Sequence, residues 1–201
     1  SHASLVPQND VLGVEVPFET NFIFGPENSG HIARFTTPAV GPVAVLMPTL
    51  NNIALTPEDI SPVTMTQNDK NVGLLSMRMY TDMTSARLEA IRLNRLGTAS
   101  DSDIDLIKVW RDSNDNCILD SVDISSTPAG LYPNLMSYGN EAYSSGTINV
   151  VLKNAIVVTT VPSCAFISYD MSQFAKVGSG AGLAINSAAD FTIGIPNTLS
   201  L

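Results

Sequence analysis

Apolar and polar residues alternate in short runs along most of the chain. In residues 72–81, Leu75, Met77 and Met79 occupy every second position, and polar or large side chains stand between them. A period of two places alternate side chains on opposite faces of an extended backbone. This segment is therefore predicted to be a β-strand with one face in a core.

Similar runs predict further strands, bounded by turns rich in Gly, Pro and Asn. They cover residues 11–24, 32–36, 43–47, 104–110, 147–152, 155–161, 164–170, 182–185 and 191–195. Pro17 makes the first of these an edge or interrupted strand, because proline cannot donate to a sheet ladder. Short strands at regular spacing are typical of an all-β, antiparallel β-sandwich.

Residues 85–96 are compatible with two structures. Leu88 and Ile91 fit one stripe of a helix, and local propensity favours that reading. As a strand, the segment needs a bulge between Leu88/Ala90 and Ile91/Leu93, where the alternation changes phase. We predict a strand, because the segments around it have strand patterns.

Composition supports one sandwich with an N-terminal extension. Residues 1–50 hold short apolar runs broken by proline and glycine, and they are predicted to form an extended segment or small β subdomain that could donate a strand to a neighbour. A connector rich in proline and asparagine, over residues 48–62, leads into the sandwich of residues 51–201.

Charge restricts the class of partner. Nineteen acids and ten bases give a net charge of −9, and such a field repels nucleic-acid backbones. The longest apolar runs, such as residues 43–47, are far shorter than the ~20 residues that cross a bilayer. We therefore expect neither nucleic-acid binding nor a membrane span. The low charge content, 14% of residues, resembles that of secreted bacterial proteins and predicts an extracellular location.

Residues 112–123 (DSNDNCILDSVD) have the ligand spacing of a calcium loop. Oxygen donors fall at the first, third, fifth, seventh, ninth and twelfth positions. In order, these candidate metal ligands are Asp112, Asn114, Asn116, the carbonyl of Ile118, Asp120 and Asp123. The spacing predicts a bound Ca²⁺ ion.

The loop departs from the calcium pattern at two positions. Cys117 replaces the glycine of the sixth position, and Asp123 replaces the longer glutamate of the twelfth. The alternative is an Asx-rich turn held by its own hydrogen bonds without metal. Upstream, Asp101, Asp103 and Asp105 are expected on a solvated turn rather than in a second ion site.

Cys117 and Cys164 are separated by 47 positions, and no CxxC or HExxH motif accompanies them. In an oxidising compartment the two thiols would form a disulfide. The alternative is a pair of unrelated buried thiols. We expect the disulfide.

An ordered set of motifs resembles the immunoglobulin-like β-sandwich modules of very large bacterial surface proteins. The set comprises TDMTSARLEAIRLNRLGTASDSDI, IKVWRDSNDNCILD, FISYDMS and ADFTI, and it spans residues 51–201. The resemblance implies an immunoglobulin-like fold, an extracellular structural or adhesive role, and calcium at the loop positions named above. Cys117 is the departure from that family's loop.

No catalytic motif stands out in the sequence. It has no GxSxG elbow, and the glycines of residues 178–182 are followed by neither a GK[ST] signature nor a helix pattern. We therefore predict a non-enzymatic subunit or module of a bacterial surface assembly, with copies of itself or neighbouring modules as partners. The alternative is a glycan- or ligand-binding sandwich that uses Trp110, Tyr132, Tyr138 or Tyr143 as stacking platforms.

Overall fold

The structure is a computed structural model that describes residues 50–195 and 197–201, together with four two-residue strands among residues 1–49. The chain divides into two compact units, Ser1–Thr49 and Leu50–Leu201.

The described strands of the first unit pair with each other. β1 (Val11–Leu12) pairs antiparallel with β4 (Ala44–Val45), and β2 (Glu15–Val16) pairs antiparallel with β3 (Ala39–Val40). Parts of the predicted strands at 11–24 and 43–47 are therefore strands paired within their own unit. The predicted strand at 32–36 lies outside the described residues.

In residues 50–195 and 197–201 the second unit has nine strands. They are β5 (Asn52–Asp59), β6 (Val72–Thr81), β7 (Ala86–Gly97), β8 (Ile104–Arg111), β9 (Thr147–Val158), β10 (Ser163–Met171), β11 (Ala181–Ala184), β12 (Phe191–Ile193) and β13 (Thr198–Ser200). Helical structure in residues 50–195 and 197–201 is confined to two three-residue 3-10 turns, Asp101–Asp103 and Ala188–Asp190. The all-β prediction is confirmed, and no helix in the described part of the chain is long and apolar enough to cross a membrane.

Two sheets pack face to face. One has the order β13-β5-β6-β10-β8; in the other, β7 pairs with β9 on one side and with β11 and β12 on the other. The core between them is formed by buried side chains of both sheets, among them Ile53, Met77, Leu88, Ile91, Ile107, Val109, Val150 and Ile167. Among the described strands every pair is antiparallel except β13 with β5, which is parallel and departs from the antiparallel prediction.

β7 confirms that residues 85–96 form a strand. Ala90 and Ile91 are both buried, so the alternation changes phase between them, as predicted. Leu88 pairs with Ile156 of β9 whereas Ala90 pairs with Val151, which leaves a bulge in β9. The predicted break between two strands at residues 153–154 is therefore wrong: β9 is one strand with a bulge at this point.

The prediction of a connector over residues 48–62 is also wrong, because residues 52–59 form β5. The carbonyl of Asn52 accepts from Asp82 on the β6 side, whereas the carbonyl of Asn51 accepts from Thr198 on the outer side. Backbone groups along β5 point alternately towards β6 and away from it, so those of Pro57, like those of Asn51, point away from β6. The missing N–H of Pro57 therefore costs no bond to β6.

One edge of β8 pairs with β10, and the other edge is covered by residues 134–141, which we call the strap. The N–H of Met136 in the strap donates to the carbonyl of Val109 at 2.7 Å. The carbonyl of Met136 accepts from the N–H of Lys153, in the β9 bulge, at 2.8 Å. The strap thus bridges the two sheets on this side of the sandwich.

Candidate functional site

The 112–123 loop leaves the end of β8 and lies over the outer face of the five-stranded sheet. Cys117 of the loop is disulfide-bonded to Cys164 of β10, with their Cα atoms 5.3 Å apart. The predicted disulfide is confirmed. The N–H of Asp112 also donates to the carbonyl of Cys164 at 3.1 Å, so the loop is attached to β10 at two points.

A second apolar cluster lies beneath the loop. Because Val109 faces the main core, its neighbour Trp110 faces the opposite side of the sheet, where it packs with Phe166 and Cys164. Cys117, Leu119 and Ile124, which are partly buried, pack against this cluster from the loop side. Burial of apolar surface therefore holds the loop to the sheet in addition to the covalent bond.

Cys117 occupies the position at which calcium loops carry glycine, and its backbone adopts the conformation that glycine normally supplies. Its φ angle is 56°, in the left-handed region, and that of Asp115 is 57°. Non-glycine residues enter this region at an energetic cost. The N–H of Cys117 donates to Oδ2 of Asp112 at 2.7 Å, and together with the disulfide this bond holds the turn.

Three of the predicted ligands lie together. The side-chain amides of Asn114 and Asn116 both donate to Oδ2 of Asp120, each at 3.0 Å. Oδ1 of Asp120 accepts from the N–H of Val122 at 2.8 Å. The pKa of Asp120 lies below its ordinary value, first because of the Val122 bond and then because of the two amides.

The other two carboxylates accept bonds from the loop backbone. Asp112 accepts the N–H of Asn114 at 3.2 Å in addition to that of Cys117. Asp123 accepts the N–H of Ser113 on Oδ1 at 2.8 Å and that of Asp120 on Oδ2 at 3.2 Å. Both side chains are buried, with 4% and 0% of their surface exposed.

Ile118, the remaining predicted ligand, contributes differently from the carboxylates. Its side chain is 64% exposed, and its N–H donates to Oδ1 of Asn116 at 2.7 Å. The oxygen of Asn116 is therefore used within the loop, while its amide nitrogen faces Asp120.

The donor set of the loop suits a hard cation in its chemistry, because carboxylate and amide oxygens are the ligands that Ca²⁺ prefers. Among the described residues, Asp112, Cys117 and Cys164 form one group whose carboxylate and sulfur atoms lie within 4.8 Å of one another. Disulfide-bonded sulfurs are not metal ligands, since the thiolate is the ligating form. Of the predicted ligands, the structure brings together Asn114, Asn116 and Asp120, and it ties Asp112 and Asp123 to the backbone.

Of the four aromatic side chains predicted as stacking platforms, two are buried and two are exposed. Trp110 is fully buried and Tyr143 is 6% exposed, so neither ring presents a face to a glycan, and the prediction is wrong for these two. The hydroxyls of Tyr143 and Tyr169 are hydrogen-bonded, and burial raises the pKa of Tyr143 to about 12. Tyr132 and Tyr138 remain exposed, at 41% and 63%.

Asp101 and Asp103, expected on a solvated turn, instead anchor loops at the other end of the sandwich. Asp103 is 6% exposed and accepts the N–H groups of Ser100 at 2.6 Å and Lys176 at 2.8 Å. Asp101 accepts the N–H of Gly146 at 3.0 Å. These bonds are the main reason that the pKa of each carboxyl is lowered.

The sequence matches no known protein-family model, and no curated protein is significantly similar to it.

Proposed function

We propose that the chain is a non-enzymatic structural module of a bacterial extracellular or cell-surface assembly, with residues 51–201 forming an immunoglobulin-like sandwich. The observation that carries the proposal is the disulfide between Cys117 and Cys164. Structural disulfides form and persist in oxidising compartments and are rare in the cytosol. This one fixes a surface loop to an inner strand of the sheet, as a domain exposed to proteases and shear requires.

The polar groups of the 112–123 loop support a stabilising role. We infer that Asp112, Asn114, Asn116, Asp120 and Asp123, with the carbonyl of Ile118, hold a Ca²⁺ ion in the secreted protein. Bound calcium would supply positive charge to three neighbouring carboxylates and make the loop more rigid. For Asn114 and Asn116, binding requires the side-chain amides that now donate to Asp120 to turn their oxygens towards the ion.

Assembly by strand addition is the second part of the proposal. The strap covers the edge of β8, whereas β13 covers only residues 52–54 of β5. Residues 55–59 of β5 thus offer an edge to which another strand can be added, although Pro57 removes one donor from it. Residues 11–24 of a neighbouring copy are the proposed donor. Donation requires β1 and β2 to leave their partners in the first unit.

Electron microscopy and light scattering of the full chain and of a variant lacking residues 1–24 test this assembly. We expect ordered polymers from the full chain and monomers from the truncated one. Polymers that persist after the deletion would exclude residues 11–24 as the donor. A full chain that stays monomeric at all concentrations would contradict the assembly role.

The compartment is tested separately by peptide mapping of protein taken from its native cells after free thiols are blocked. Extracellular residence predicts that Cys117 and Cys164 are recovered as one cross-linked peptide pair. Recovery of both as blocked thiols would contradict the proposed location.

A further inference from the structure

A lysine, an asparagine and an aspartate meet on the outer face of the five-stranded sheet, beside Trp110. Nζ of Lys108, on β8, donates to Oδ1 of Asn71 at 2.8 Å. The same nitrogen lies 2.9 Å from Oδ1 and 2.8 Å from Oδ2 of Asp170, on β10. Sequence reasoning missed this cluster, because its members are far apart in the chain and form no motif.

The cluster is better shielded from water than the other ion pairs of the described residues. The side chains of Lys108 and Asp170 are 13% and 7% exposed, against 44% and 43% for Lys70 and Asp105. The ring of Trp110 lies 5.8 Å from Nζ and covers the site on one side. In such surroundings the ammonium group loses most of its hydration, and once it has given up a proton the desolvated amine is a stronger nucleophile.

Asp170 positions the amine and the amide together. Oδ1 of Asp170, besides contacting Lys108, accepts the backbone N–H of Asn71 at 2.8 Å. Asn71 has a φ of 56°, a left-handed conformation that this bond helps to hold. One carboxylate therefore fixes the residue that carries a nucleophile and the residue that carries an electrophilic carbonyl.

The ammonium group of Lys108 has three N–H donors, and its contacts with Asp170 use two of them. The third donates to the side-chain carbonyl of Asn71 and brings the two groups close together. Since a C=O bond is about 1.2 Å long, Nζ lies within about 4 Å of Cγ of Asn71. Groups react far faster than in solution when their reacting atoms reach ~3–3.5 Å, and here folding has already paid the entropy of bringing the two groups almost to that distance.

We propose that Lys108 and Asn71 form an intramolecular isopeptide bond. Asp170 takes a proton from the ammonium group, and the lone pair of the resulting amine attacks Cγ of Asn71. Asp170 then returns its proton to Nδ2 of Asn71, the Cγ–Nδ2 bond breaks, and ammonia leaves. The attacking nitrogen gives up a second proton to the departing ammonia, so an ammonium ion and a secondary amide replace a lysine ammonium and a primary amide.

The step needs no oxidant, reductant or metal, since no atom changes oxidation state. The new amide keeps one N–H, which can donate to Asp170 and so satisfy the carboxylate after the lysine charge is lost. The bond joins β8 to the start of β6 across β10, whereas the disulfide joins the loop to β10. The two cross-links fasten different strands of the same sheet.

Mass spectrometry of the folded full chain tests the proposal. We expect the intact protein to be lighter than its disulfide-bonded sequence mass by one ammonia molecule. Trypsin should release residues 71–78 and 96–111 as one branched peptide, because it does not cleave after an acylated lysine. Recovery of both segments as separate peptides, with residues 96–111 cut after Lys108, would overturn the proposal.

Variants separate this bond from other losses of ammonia, such as succinimide formation at asparagine. Lys108→Arg keeps the positive charge and Asp170→Asn keeps the shape, and both are expected to restore the full mass. Asn68→Ala is the matched control for Asn71→Ala, because both asparagines have a positive φ, and only Asn71→Ala should restore the mass. A Lys108→Arg protein that still lacks one ammonia would overturn the proposal. If the variants fail to fold, the peptide map of the unaltered chain decides.

Discussion

The side-chain amide nitrogen of Asn116 lies 3.0 Å from Oδ2 of Asp120 and donates a hydrogen bond to it. Both residues are predicted calcium ligands, and here one satisfies the other. The contact keeps the loop compact, and it also shows what an ion would have to replace.

The calcium hypothesis predicts that the ion raises the melting temperature. An ion bound only by the folded chain stabilises it by mass action, by about 2.7 kcal/mol at a concentration one hundred times the dissociation constant. Melting curves with millimolar calcium and with a chelator measure the shift. Asp120→Asn should abolish it, whereas Asp115→Asn, an exposed acid of the same loop, should retain it. Identical curves with calcium and chelator would leave the loop as a metal-free Asx turn.

Loss of the disulfide should destabilise the domain by about 4 kcal/mol, the chain-entropy value for a loop closed over 47 positions. Urea unfolding of the Cys117→Ala, Cys164→Ala double variant measures this difference against the oxidised chain. A reductant should lower the midpoint of the unaltered chain and leave that of the variant unchanged. An equal response of both proteins would contradict the structural role of the bond.

Gly97→Ala should destabilise the domain by about 1–3 kcal/mol, because φ at Gly97 is +88° and a Cβ there would lie 2.2 Å from the carbonyl oxygen of Gly180. Gly130→Ala is the control, since φ is +74° there but nothing lies within 4 Å of the added atom. Chemical denaturation of both variants separates the clash from the backbone strain that they share. Equal losses would show that the β7–β11 contact yields without cost.

Acidification should weaken the domain through Asp103. Hydrogen bonds from Ser100 and Lys176 lower its pKa in the folded state. Its contribution is therefore present above the ordinary pKa of 3.8 and is lost as the pH falls through the lower, folded value. Urea midpoints measured between neutral pH and pH below 3.8 should fall less steeply for Asp103→Asn than for the unaltered chain. The same slope in both would show that other acids carry the effect.

Strands could be predicted from the sequence where apolar and polar side chains alternate clearly and the strand pairs with a neighbour over most of its length. Residues 72–81 form β6 with the predicted bounds. Residues 85–96 have helical propensity, but pairing with β9, β11 and β12 outweighs it. The sign of a strand was the strand pattern of the segments around it. β5 was missed because Pro57 suggested a break, although Ile53 and Leu55 alternate before it. A proline whose backbone nitrogen points away from the neighbouring strand removes no hydrogen bond of the sheet. The sequence does not reveal in which direction the backbone groups of a given residue point.

The candidate site could be predicted in part. The acid and amide spacing located the loop, and the cysteines located its covalent anchor. The sequence could not predict which N–H group donates a hydrogen bond to each carboxylate. That choice depends on the backbone turns at Asp115 and Cys117, which bring N–H groups close to the carboxylates. The cluster of Lys108 likewise depends on strand order, since β10 must lie between β8 and β6 before its three members can meet.

The parallel pairing of β13 with β5 sets how the sandwich responds to mechanical load. Tension applied at Leu50 and Leu201 in opposite directions runs along both strands, whose hydrogen bonds lie across the line of force. Those bonds must then fail together rather than one at a time from an end, so β5 and β13 act as a shear clamp. A module linked through these two positions would resist stretching better than one whose terminal strands could be peeled apart.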